Sequence, residues 1–208
     1  MAVQKTPLNP GKYYHIYNRG NNRNDLFYDN ENYEYFLNLY QTYISPVTNT
    51  FAWVLMKNHF HLLMQILPPE RWGNLNADGL KTLRNLELDK RINQQFSNLF
   101  NAYSKAINLR YGRTRSLFEH PFKRKENASI DYLKRVIVYI HQNLVKHGFC
   151  EHPLGYPWSS YHTCISIKPT KVEREKVIGW FGSSTEFISR HNGKIKTNDI
   201  NQWLELDE

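Results

Sequence analysis

One short stretch restricts the fold more than any other: Lys57-Asn58-His59-Phe60-His61-Leu62-Leu63-Met64-Gln65-Ile66. Side chains on a strand alternate between its two faces. Phe60, Leu62, Met64 and Ile66 therefore share one face, and His59, His61, Leu63 and Gln65 the other. The apolar face requires a core. The other face sets two imidazoles one pleat repeat apart, roughly 6–7 Å between their Cα atoms. From there two rings can converge on one cation that takes its remaining ligands elsewhere. An arbitrary His-x-His on a strand is more often a pair of half-exposed side chains, so the weight of a metal reading has to come from the rest of the chain.

The preceding segments supply partners for this strand. Lys12 to Arg19, rich in aromatic residues, predicts a first strand, followed by a loop of turn formers, Gly20 to Asn24. Asp29 is an N-cap, and Tyr33, Phe36, Leu37, Tyr40 and Ile44 recur at helical spacing until Pro46. Thr50 to Met56 predicts a second strand that turns at Lys57-Asn58 into the histidine strand. Residues 68 to 89 form a long connection, with a short helix expected near Leu80 to Leu86. Ile92, Phe96, Leu99, Phe100, Tyr103, Ala106 and Ile107 trace one face of a second helix, and Leu117 to Lys125 reads as a fourth strand, an edge or bulged one because of Pro121. The order β-α-β-β-α-β predicts an α+β, ferredoxin-like (split βαβ) antiparallel sheet with helices on one face and the other face left open.

A third helix begins at an N-cap, Ser129, and ends before Gly148. Leu133, Val136, Ile137, Ile140 and Leu144 form its buried stripe, while Tyr139 and Asn143 lie one turn apart on another face. Beyond Pro153 the pattern loosens into an aromatic clasp, Tyr156 to Tyr161, two short helices over 172–181 and 185–191, and a tail from Ile195. The domains expected are residues 1–150, carrying any catalytic function, and a helical C-terminal extension, 151–208, packing on them.

Charge points to a partner. The 208 residues carry a net charge of +8, with a pI near 9.4, which suits a polyanion. A mean hydropathy of -0.66, with no apolar run of the roughly 18–20 residues needed to span a bilayer and no signal-peptide core at the N-terminus, predicts a cytoplasmic protein without a membrane partner. Two cysteines are too few for a disulfide framework and match no zinc spacing. Arg19 and Arg23 flank the first loop, Arg110, Arg113 and Arg115 precede the fourth strand, and Lys123, Arg124 and Lys125 end it. Interleaved with Tyr13, Tyr14, Tyr17 and Phe122, they are the candidate contacts to single-stranded nucleic acid.

These parts combine into one chemistry. A hard divalent cation, Mg²⁺ or Mn²⁺, on His59 and His61 requires a third ligand. Asn143 would supply it if the third helix crosses the open sheet face. Tyr139 would then direct its hydroxyl towards the cation and become a candidate nucleophile for a phosphodiester. Tyr132, seven residues earlier and near the same face, is the rival.

The same residues carry a resemblance. His59-Phe60-His61 followed by Tyr139-Ile140-His141-Gln142-Asn143 resembles the His-hydrophobe-His plus single-tyrosine signature of the transposases of bacterial insertion sequences. Further pieces are similar too: Tyr14 to Gly20, Trp53 to Met56, Leu117 to Lys123, Asn143 to Gly148 and Tyr156 to Tyr161. The last two favour the REP-associated tyrosine transposase branch. The resemblance spans roughly Tyr13 to Tyr161. It implies a ferredoxin-like catalytic domain, Tyr139 as the nucleophile on single-stranded DNA, and a 5′-phosphotyrosine intermediate with release of a 3′-hydroxyl. It also implies a divalent metal held by His59, His61 and Asn143, a DNA hairpin beside the cleavage site, and, in many insertion-sequence relatives, a homodimer. Two other readings stand beside it: a domesticated protein that binds nucleic-acid hairpins without cutting, and a metal-dependent nuclease that activates water and uses Tyr139 as structure.

Overall fold

The computed structural model describes residues 6–73, 85–127 and 129–193. Its centre is a four-stranded antiparallel sheet in the order β2-β3-β1-β4, formed by β1 (Tyr13–Arg19), β2 (Thr48–Met56), β3 (His59–Ile66) and β4 (Lys123–Asn127). With α1 (Asn30–Tyr43) between β1 and β2, and α2 (Asn85–Arg110) between β3 and β4, this is the expected split βαβ arrangement. The two-residue turn Lys57-Asn58 joins β2 to β3. It is fixed from outside, because the Lys57 carbonyl accepts from the backbone N–H groups of Leu26 and Phe27, and that of Asn58 from Gly20.

The alternation along β3 sorts as its sequence requires. Phe60, Leu62, Met64 and Ile66 enter one core together with Phe36 of α1 and Phe96, Leu99, Phe100 and Tyr103 of α2. Leu63 enters a second core on the opposite face with Val136, Ile137, Ile140 and Leu144 of α3 (Ile130–Lys146). The first core is built largely from aromatic rings: Phe60 lies 5.3 Å from Phe36 and 5.9 Å from Phe100 between ring centres. The helix starts are capped as read from sequence, since Asp29 accepts from the Asn32 N–H and Ser129 from the Tyr132 N–H.

The sheet face free of α1 and α2 is the one that α3 crosses, packing on β2 and β3, and residues of the C-terminal helices join its core. Two expectations need correction. The fourth strand starts later than expected, at Lys123. Leu117 and Phe118 are buried core residues of an irregular segment that meets the end of β1 in a single bridge, Gly20 to Phe118, whereas the continuous ladder with β1 runs over the charged residues 123–127. The long connection ends sooner, because Asn85 is already helical. The short helix expected near Leu80 falls mostly outside the described residues, as does the tail from 194 onward.

The aromatic clasp docks on the β2 edge. Leu55 N–H donates to the Trp158 carbonyl, Ser160 N–H to the Trp53 carbonyl and the Tyr156 hydroxyl to the Leu55 carbonyl, while Trp158 stacks on Tyr33. This satisfies backbone groups that an edge strand would otherwise expose. The short α4 (Tyr161–Ile165) follows, then α5 (Arg174–Phe181) and α6 (Ser184–Asn192), both packed against α3. Among the described residues, no helix is long and apolar enough to cross a membrane.

Candidate active site

The cleft between β1, β3 and the C-terminal half of α3 gathers the chemically capable side chains. It has a volume of about 460 Å³ and is lined by Tyr17, Arg19, Arg23, Asn58, His59, His61, Glu119, Lys123, Tyr139 and His147, among others. Strand parity explains the first members. Tyr17 lies opposite His61 on one side and Lys123 on the other, so all three project to the same face. Helix α3 crosses this face and presents Tyr139, whose ring sits edge-on to His61 with centres 5.6 Å apart and to His15 at 6.0 Å. The ring is 6% exposed, held among the apolar residues of the second core but still on the cleft wall.

The two strand histidines are arranged as ligands would be. His59 Nδ1 is 2.7 Å from Asn58 Oδ1 and His61 Nδ1 is 3.0 Å from His15 Nε2. Each thus engages its Nδ1 and leaves Nε2, the arrangement in which an outer partner fixes the ring of a metal-bound imidazole. Burial lowers the His59 pKa to about 4, helped by the nearby His147, Arg19 and Lys146. Burial also holds His61 well below the usual histidine range, and pushes His15 down to about 3. Both strand histidines are therefore neutral at physiological pH, as metal ligands must be.

Asn143, one turn after Tyr139, is 2% exposed, and its amide nitrogen is buried with no hydrogen-bond partner among the described residues. A buried amide nitrogen lacking a partner is costly, and turning the amide over would present its oxygen at that position instead. Asn143 lines a neighbouring cavity with Tyr139, Gln142 and Lys146, so Tyr139 stands between the two hollows. No group of three His, Cys, Asp or Glu side chains among the described residues is placed to hold a metal ion. A metal on His59 and His61 would therefore need an amide, water or substrate oxygen to complete its coordination.

The other sequence candidates are dispersed. Arg19, Arg23 and Lys123 line the cleft, with Arg19 Nε 2.6 Å from Glu119. Lys125, opposite His15 in register, has the same parity as Lys123. Arg124 has the opposite parity. It lies over the Phe122 ring at 4.3 Å and donates to Asn93 of α2 at 2.7 Å, with its side chain 2% exposed, so it supports the first core and does not face the cleft. Arg110 pairs with Asp29 and Glu31, and Arg113 donates to the Tyr28 hydroxyl, both beside the start of α1. Arg115 is an exposed loop residue at φ 77°. None of the four lines the cleft. Tyr14 and Phe122 are core residues, and Tyr13 packs against Phe51 and Trp180. Of the interleaved aromatics, Tyr17 alone lines the cleft. Tyr132, the rival nucleophile, is buried in the second core and does not line it either.

Two residues of the cleft escape a reading from sequence. His147 caps the end of α3, its backbone N–H bonded to the Asn143 carbonyl, and its ring lies 5.2 Å from that of His59. Its signal was present, because it falls one turn after Asn143 and two after Tyr139. His15 is hidden in an aromatic strand and becomes conspicuous only once β1 and β3 are in register.

No protein-family profile matches the chain, and no curated protein matches it. Among solved structures, the fold is similar to that of a REP-associated tyrosine transposase bound to a REP hairpin. The TM-score is 0.52 at 16% identity, covering 81% of this chain and 88% of the other. The class defined is thus one of fold: an α+β chain with the antiparallel sheet and helices of that transposase structure.

Proposed function

We propose that this chain is a transposase-like enzyme that cleaves and rejoins single-stranded DNA through Tyr139, at sites beside a DNA hairpin. The observation that carries the reading is the Tyr139 ring set edge-on to His61, in a cleft that also holds His59 and is rimmed by Arg19, Arg23 and Lys123. The shared fold supports it, since the transposase of similar structure is one bound to a hairpin.

Arg19, Arg23 and Lys123 would draw the phosphate backbone along the cleft, and Tyr17 would offer a face for base stacking. His59, His61 and Asn143 would hold Mg²⁺ or Mn²⁺, which supplies polarisation of a non-bridging phosphate oxygen and neutralises developing charge. The Tyr139 oxygen attacks phosphorus and loses its proton. The bond to the 3′ oxygen breaks, and that oxygen takes up a proton to leave as a 3′-hydroxyl. The strand is retained as a 5′-phosphotyrosine ester. Attack by another 3′-hydroxyl reverses these steps and rejoins the DNA.

Incubation with labelled single-stranded hairpin DNA and Mn²⁺ tests this. A covalent protein–DNA species stable to denaturing electrophoresis is expected, and it is absent from Tyr139→Phe, which still binds the DNA. Retention of the DNA without any adduct from the unaltered protein would favour a binding role alone. Cleavage without an adduct that survives in Tyr139→Phe would favour a nuclease that activates water.

A further inference from the structure

His15 has no task in the steps above, yet it is wholly buried at the back of the cleft. Its ring forms a triangle with those of Tyr17 and His61, 5.0 and 5.1 Å away between centres, which are themselves 5.5 Å apart. Tyr139 meets it edge-on, and Lys125 of β4 lies opposite it in the pairing register. Among the described residues, its ring makes one hydrogen bond, from Nε2 to His61 Nδ1 at 3.0 Å, and its own Nδ1 is buried without a partner.

We infer that His15 is a positioning residue that sets the tautomer and orientation of His61, and so determines whether His61 can bind a cation. The inference rests on the metal-site reading given above. Two neutral imidazoles share a single proton along this bond. When His61 Nδ1–H donates to His15 Nε2, His61 Nε2 bears a lone pair and is ready to ligate. When His15 Nε2–H donates instead, His61 carries its proton on Nε2 and cannot.

The unpartnered Nδ1 of His15 tells which arrangement the protein prefers at rest. In the ligating arrangement neutral His15 must carry its proton on Nδ1, leaving a buried N–H with no acceptor. In the other arrangement that nitrogen is a bare lone pair, and buried acceptors are left unpaired more readily than buried N–H groups. Cation binding therefore moves protons on both rings. His15 supplies the acceptor that the ligating form of His61 needs, and it resists that form in the empty protein. His59, whose Nδ1 faces the amide oxygen of Asn58, is already in its ligating form.

Mn²⁺ affinity of the full chain without DNA, read from the electron paramagnetic resonance signal of free Mn²⁺, tests this in the unaltered protein and in His15→Phe, His15→Gln and His59→Ala. His15→Phe keeps a flat ring but offers no acceptor, and is expected to bind Mn²⁺ 10–100-fold more weakly, about the loss typical of an outer partner of a metal ligand. His15→Gln, whose amide oxygen can accept from His61 Nδ1–H, is expected to restore binding to within about threefold. Long-range nitrogen–proton NMR of the imidazoles should show His61 protonated on Nε2 in the empty protein and on Nδ1 once Mg²⁺ is added. Equal Mn²⁺ affinity in the unaltered protein and His15→Phe overturns the positioning role while leaving the metal reading intact. Equal loss in His15→Phe and His15→Gln reduces His15 to packing and also overturns it. Failure of the unaltered protein to bind Mn²⁺ any better than His59→Ala overturns both.

Discussion

The two faces of this sheet solve different problems with the same strands. On the α1/α2 face, strand side chains such as Tyr14, Ile16, Phe60, Leu62, Met64 and Ile66 are apolar and almost wholly buried, packed among aromatic rings. On the α3 face, His15 and His61 are buried nearly as deeply, but the neighbouring strand and helix positions carry Tyr17, His59 and Tyr139. A buried imidazole contributes less than a buried phenyl ring and must be kept neutral to sit there at all. Both faces bury an apolar core, but the α3 face gives part of its area to imidazoles and a phenol held at fixed positions.

Adjacent residues on β3 offer the sharpest way to break this contrast. Phe60→Ala should destabilise the fold by about 3–5 kcal/mol, as for other buried phenylalanines, in chemical denaturation. His61→Ala, one residue along, should cost only about 1–3 kcal/mol, the loss of one hydrogen bond and an orphaned His15 nitrogen, while abolishing Mn²⁺ binding. Equal destabilisation by the two would remove the distinction between the faces.

Acid should act through the α3 side. His141 of α3 is held well below the usual range by burial, its nitrogens 2.9 Å from His191 and 2.7 Å from Ser160. Burial lowers His191 of α6 to about 4 from 6.5. Because the unfolded chain takes up these protons more readily, stability should fall as pH drops from 6.5 towards 4. The His191 contribution is on the order of 3 kcal/mol and levels off below its folded pKa. A melting temperature independent of pH over this window would show that these imidazoles are not buried as neutral groups. Asn substituted at His191 should flatten the profile.

Neighbours on β4 give the smallest effects. Lys123→Ala should weaken single-stranded DNA binding and reduce the salt slope by about 0.7 with little change in stability. Arg124→Ala should leave the slope unaltered and lower stability, since its guanidinium covers the Phe122 ring and donates to Asn93. The reverse pattern would mean that strand parity has been misassigned.

That pair also shows what a sequence does and does not disclose. The period-two pattern of β3 was legible because burial on both faces leaves no freedom of register, and the caps Asp29 and Ser129 were legible because their chemistry is local. The start of β4 was not, because Leu117 and Phe118 look more like a strand than Lys123 to Asn127 do, and only pairing with β1 decides between them. Arg124 was grouped with Lys123 by charge alone, although alternation places it on the other face. Tyr139 and the His59–His61 pair were visible as motifs. His15 was not, because its partner lies 46 positions away and a lone histidine among aromatics carries no local signal.

The central claim is that Tyr139, alone among the fourteen tyrosines, performs the chemistry. Protease digestion of the trapped protein–DNA species, followed by mass spectrometry of the nucleotide-bearing peptide, tests it most directly. The account predicts a 5′-phosphate ester on Tyr139 within the peptide from α3. An ester on Tyr17 or Tyr132, or on a residue away from the cleft, would contradict it.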